Sequence, residues 1–173
     1  LSVLAALLDR PLALEPSAWI LMQQADALNR TGFYRPALEA AARAAALVPG
    51  SPEPHLQAAN IYFDQAFYPE ALAEMELALE RRPDDAGLLS RRARFHLVLG
   101  RMAEAEEGLK RACRLAPESG QLRFERLNVA ALRGRFAEVL KEIRAGALQA
   151  PFDSYLTGYV LCRRGDRAAA VKH

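Results

Sequence analysis

Strand-forming residues are scarce in this chain. Val and Ile are few, and threonine occurs only as Thr31 and Thr157. Branched side chains are what a pleated surface favours, so a sheet is not expected. Aromatic residues are sparse as well, at 8%. Cysteine occurs twice, as Cys113 and Cys162, with no metal-ligand spacing and too few thiols for a disulfide framework. The three histidines, His55, His96 and His173, have no partner at metal spacing either. There is no glycine-rich phosphate loop, and "RRGDR" reads as a helix end with Gly165 in the turn. No convergent nucleophile, base or metal set emerges, so neither an enzyme nor a cofactor is indicated. No apolar run approaches the roughly 18 residues of a membrane span, which argues against direct membrane insertion. Basic residues number 23 and acidic residues 21, a net charge of +2. That lacks the basic excess of a nucleic-acid binder.

Alanine and leucine make up most of the 51% apolar content. Both are strong helix formers, so the chain is predicted to be all-α. Its 173 residues suffice for one or two ordinary domains or one short repeat array. The opening "LSVLAALLDRP" is interrupted by Asp9, Arg10 and Pro11 and has no basic leader, so it does not read as a signal peptide. The chain opens on Leu1 and closes on "DRAAAVKH", inside a helical pattern, so it is expected to be part of a longer protein. Abundant Arg and Ala beside rare Lys resemble the usage of GC-rich bacteria. The compartment stays open between cytoplasm, slightly favoured, and periplasm.

The informative feature is repetition. Pro49, Pro83, Pro117 and Pro151 stand 34 residues apart, with Pro16 33 before the first. Gly32, Ala66, Gly100 and Gly134 keep the same step, and Gly165 follows 31 later. Proline stops a helix and glycine ends one with little strain, so each period is punctuated twice. Two helices per unit follow. The second helices carry matching apolar sets: Ala37, Ala41, Ala44, Ala45; Ala71, Met75, Ala78, Leu79; Ala105, Leu109, Ala112, Cys113; Val139, Ile143, Gly146, Ala147. Each follows i, i+4, i+7, i+8, one stripe of a helix. Cys113 is read there as a small packed hydrophobe. The opposite face carries charge, with Glu106–Lys110 and Glu107–Arg111 predicted as i,i+4 pairs. The first helices align at Ala25, Ala59, Ala93 and Leu127, and again at Ala27, Ile61, Phe95 and Val129.

A 34-residue helix–turn–helix unit with small residues at these places and a closing proline resembles the tetratricopeptide repeat. The resemblance covers units of about 18–51, 52–85, 86–119 and 120–150 and a partial fifth over 151–173. It implies a right-handed superhelical solenoid of antiparallel helix pairs over 16–173. Residues 1–15 would be the remnant of a preceding helix, although Pro11 interrupts it. The aromatic expected early in the first helix is replaced by His55, Leu89 and Arg123, and Trp19 lies two places early. Arg123 and Arg126 stand where core residues are usual, so the fourth unit is predicted to be shifted or more open.

The resemblance also implies that first helices line a concave groove that binds a partner. The inward places are Met22, Gln23, Asp26 and Asn29; Leu56, Gln57, Asn60, Phe63 and Asp64; Ser90, Arg91, Arg94 and Leu97; Phe124, Glu125, Asn128 and Ala131; and Tyr155 with Tyr159. Asn60 and Asn128 share one register place and offer donor and acceptor to an extended chain. Arg91 and Arg94 lie between them and suit a carboxylate. Met22, Leu56, Phe124 and Tyr155 share another place and suggest a broken apolar strip, interrupted by Ser90. The chaperone-tail clamp of some family members needs basic residues and asparagines at set places. Here those places hold Met22, Asp26, Gln57, Gly87 and Arg91, and only Arg91 matches. The reading is a non-catalytic scaffold module for a protein or peptide partner. A substrate-recruiting arm of a larger bacterial glycosyltransferase or sulfotransferase, a cell-envelope assembly scaffold, and self-association through the end helices stand as alternatives.

Overall fold

A computed structural model describes residues 17–170, and everything described in it is helix or connection. The predicted remnant over 1–15 lies outside the described residues, as does the end of the fifth unit. The first helix of each unit is α1 (Ala18–Arg30), α3 (Glu53–Asp64), α5 (Ala86–Val98), α7 (Gly120–Leu132) and α9 (Phe152–Arg163). The second helices are α2 (Tyr34–Leu47), α4 (Tyr68–Arg81), α6 (Met102–Leu115), α8 (Phe136–Arg144) and α10 (Arg167–Ala170). Each helix packs chiefly on its neighbours in chain order, and α1 touches α3 as α7 touches α9. First helices therefore form one layer of an all-α solenoid and second helices another.

The local chemistry explains the cuts. Ser17, Asp85 and Ser119 cap α1, α5 and α7, each side chain accepting from a backbone N–H three residues on. Every first helix then ends in a left-handed residue at the mid-unit small place: Gly32, Ala66, Gly100, Gly134 and Gly165. The following N–H reaches back across the last turn, as from Phe67 to the Tyr62 carbonyl at 2.9 Å. This paired 6→1 and 5→2 bonding satisfies the orphan carbonyls and turns the chain directly into the second helix. The second helices accordingly need no side-chain cap, and α2, α4, α6 and α8 have none.

Packing runs from unit to unit. Ala37 and Ala41 of α2 pack with Ala58 and Ile61 of α3. Met75 and Ala78 of α4 pack with Leu88, Leu89 and Phe95 of α5. Leu127, Val139 and Leu140 pack with Leu156 and Val160 of α9. Alanine at the contact lets helix backbones approach closely, and the larger residues supply roughly 1.5–3 kcal/mol each on burial.

The fourth unit departs from the predicted pattern. Its second helix stops at Arg144, so Gly146 and Ala147 do not extend the stripe. Gly146 sits at φ 79 and Ala147 N–H reaches the Glu142 carbonyl at 3.1 Å, a second helix-ending turn in the same unit. As a result, α7 and α8 touch over a shorter stretch than the other pairs. Two charge pairs also differ. Arg111 turns to Asp84 at 2.7 Å, and Glu107 reaches Arg114 at 3.9 Å. Glu106 does pair with Lys110, but it is buried rather than on a charged face.

Candidate functional site

The layer of first helices carries polar side chains of two kinds. Some are consumed within the fold. Asn29 donates to Asp64 at 2.6 Å, joining α1 to α3. Ser90 donates to Glu125, joining α5 to α7, and Gln121 donates to the other oxygen of Glu125 at 2.8 Å. Asp26 pairs with Arg30 one turn on, at 3.3 Å. The Asn29–Asp64 and Ser90–Glu125 links each join residues 35 apart and fasten neighbouring first helices side by side.

Others have no side-chain partner among the described residues. Gln23 and Gln57 are of this kind, and so are Asn60 and Asn128, both half-buried. Arg91 and Arg94 are exposed and make no ion pair among the described residues, although α5 carries both on one face. Many other arginines of the array are engaged. Arg82 meets Glu53, Arg92 meets Glu76, and Arg126 meets Glu142. Glu125, at the register place of Arg91 one unit on, accepts from Ser90, and Asp64 of the preceding first helix accepts from Asn29. The two guanidiniums in the middle of this layer are thus not engaged by a carboxylate among the described residues.

The apolar places divide in the same way. Phe63 stacks on Phe95 with ring centroids 4.7 Å apart and meets Tyr68 edge-on. Leu56 and Leu97 pack against the core, and Ala131 is buried. Phe124 stacks on Phe152 at 4.7 Å and meets Tyr155 edge-on at 5.9 Å. Phe63, Phe95, Phe124 and Phe152 glue one unit to the next, and of the strip suggested by register Phe124 and Tyr155 touch each other. Tyr159 packs beside the Leu127–Val160 cluster, whereas Tyr155 remains 61% exposed at the end of the layer.

No group of three or more His, Cys, Asp or Glu residues suited to a metal occurs among the described residues. No described helix is long and apolar enough to cross a membrane. Cys113 is half-buried; burial raises its thiol pKa, and Arg126 beside it opposes that only in part. His96 is held below its usual value by burial and then by Arg92.

No family model matches the sequence, and no curated protein matches it. Solved structures do. The chain is similar to YrrB, described as a TPR protein with an unusual peptide-binding site, with a TM-score of 0.67 at 22% identity over 91% of this chain and 83% of that one. The fold is that of the tetratricopeptide repeat. Residues 41 to the end of MamA from Desulfovibrio magneticus RS-1 align at a TM-score of 0.70 and 16% identity, over 90% of each chain. The first TPR of Spaghetti (RPAP3), solved with the HSP90 peptide SRMEEVD, aligns at 0.60 and 19%, over 68% of this chain and 94% of that one.

Of the charge network around Glu106, only the pair with Lys110 was legible in the sequence. This carboxylate accepts from Lys110 at 2.9 Å, Arg135 at 2.8 Å and Arg133, and only 3% of the residue is exposed. Burial alone would raise its pKa. Hydrogen bonds from Lys110 and Arg135 outweigh that and hold it at about 2. A signal was present, because Glu106 occupies the register place of Leu38, Leu72 and Leu140. A carboxylate at an otherwise apolar place of a tetratricopeptide-type unit calls for cations beside it.

Proposed function

We propose that this solenoid is a protein-interaction module and that its first-helix face holds an extended segment or helix of a partner. The observation that carries the reading is the set of unpartnered polar groups on three successive first helices: Asn60 on α3, Arg91 and Arg94 on α5, and Asn128 on α7. The fold fastens Asp26, Asn29, Asp64 and Glu125 internally and leaves these groups free. An asparagine side chain can pair with both the N–H and the C=O of a bound backbone. An arginine pair suits a carboxylate on the same segment. The peptide-binding site described for YrrB and the peptide bound to the first TPR of Spaghetti (RPAP3) point the same way.

The test uses a displayed library of random dodecapeptides, selected on the wild-type chain. The best binder is then titrated against Asn60→Ala/Asn128→Ala and Arg91→Glu/Arg94→Glu. Each double variant is expected to weaken binding by about tenfold or more, which is 1.4 kcal/mol. Melting temperatures should stay close to wild type, since these side chains have no internal partner to lose. Unchanged affinity in both variants would remove the reading, and a large loss of stability would make the residues structural.

A further inference from the structure

The other side of the array holds a cavity of about 410 Å³ where α2, α3 and α4 meet. That lies within the roughly 300–1,000 Å³ range of ligand sites. Leu38, Ala41, Ala45 and Ala58 give it a small, apolar lining. His55 and Glu74 stand in its wall, with imidazole Nδ1 and carboxylate Oε2 at 2.9 Å. Both side chains are largely covered, at 18% and 27% exposure. The register places of this pair hold Leu21 with Ala40 in the first unit and Leu89 with Gly108 in the third, all buried. An ionisable pair therefore stands in the second unit where the adjacent units bury apolar residues. Desolvating it costs free energy that an apolar pair would not. The imidazole occupies Oε2, while Oε1 of Glu74 has no partner among the described residues.

We infer that this outer cleft is a binding site distinct from the first-helix face, and that it takes a lysine side chain of a partner protein. The methylene stem lies along Ala41, Ala45 and Ala58, and the ammonium reaches the free oxygen of Glu74. Lysine buries an apolar stem while presenting a compact charge at its tip. Charge decides the sign of the ligand: Glu74 and Glu39 line the cleft and no Arg or Lys does, and although Glu39 pairs with Arg35 at 3.4 Å, Glu74 is engaged only by the imidazole among the described residues. The free oxygen decides between the two basic side chains. A guanidinium fork is best matched by two carboxylate oxygens, and one of these is already held by His55.

The intact 173-residue chain is titrated by two-dimensional NMR with N-acetyl-lysine methylamide and, separately, with the norleucine and glutamate analogues. The lysine probe is expected to shift Ala42, Ala45 and His55 saturably. The norleucine probe, which has the stem but no ammonium, should bind about tenfold more weakly, and the glutamate probe should not bind. Glu74→Gln should reduce the lysine probe to the norleucine level. Ala42→Leu, at an exposed position of α2 on the cleft, should abolish both while spectral dispersion shows the fold retained. No saturable shift with the lysine probe overturns the inference. Equal binding of norleucine and lysine does so too, as does a response confined to the first-helix face.

Discussion

Ala66 carries a backbone conformation that a β-carbon resists. Its φ of 62 is the left-handed value adopted at the same place by Gly32, Gly100, Gly134 and Gly165. A non-glycine residue there pays roughly 1 kcal/mol or slightly more. Ala66→Gly should therefore stabilise the chain by up to about 1 kcal/mol, after the extra freedom of unfolded glycine is deducted. Gly100→Ala should destabilise it by a similar amount, and thermal melts of both variants check the sign. Glu106 gives a second prediction at this scale. Its folded pKa of about 2 lies below the ordinary 4.5, so its contribution is complete above pH 4.5 and disappears as pH falls through 2. Glu106→Gln should cost about 2–3 kcal/mol at neutral pH. Urea midpoints of wild type and variant should converge as pH falls from 5 toward 2. The left-handed turn was legible in the sequence because small residues recur every 34 positions. Of the partners of Glu106 only Lys110 was, because Arg133 and Arg135 come from the following unit and sequence spacing does not reveal which turn lies over which helix.

Helix positions followed well from periodicity, since alanine stripes and punctuating prolines give two signals per unit. The exception is α8, where a second glycine five residues before Pro151 ends the helix early. Sequence spacing placed Gly146 on a stripe; its backbone chemistry placed it in a turn. The lost contact is made good by charge. Arg126 of α7 is largely covered and pairs with Glu142 and Glu138 of α8, and Arg135 reaches Glu138 at 3.6 Å. The arginine that looked misplaced in the core thus fastens the short helix beside the Leu127–Val139 contact. Removing one partner of such a covered network leaves the rest uncompensated. Arg126→Ala should lower hydrogen-exchange protection over 136–144 by about tenfold or more. Protection in α4 and α6 should change little. Uniform loss along the chain would instead make Arg126 a global core residue.

The array as a whole is held by nearest-neighbour contacts, so its stability should behave as a sum of unit and interface contributions. The four buried clusters lie in succession along it, from Ala25–Ile61 at one end to Leu127–Val160 at the other. The fourth unit depends on the fifth more than the others depend on their successors. Its own pair, α7 and α8, makes limited contact, while Leu127, Val139 and Leu140 are covered by Leu156 and Val160 of α9. A chain ended before Pro151 would expose that cluster to water. Each large aliphatic side chain uncovered costs on the order of 1.5–3 kcal/mol, which the polar fastening of α8 cannot offset. The shortened chain should therefore lose the circular-dichroism signal of α8 as well as that of the removed helices. α1 to α6 should remain folded and unfold in their own urea transition. A single transition with only the removed helices missing from the spectrum would show that α7 and α8 stand without the fifth unit.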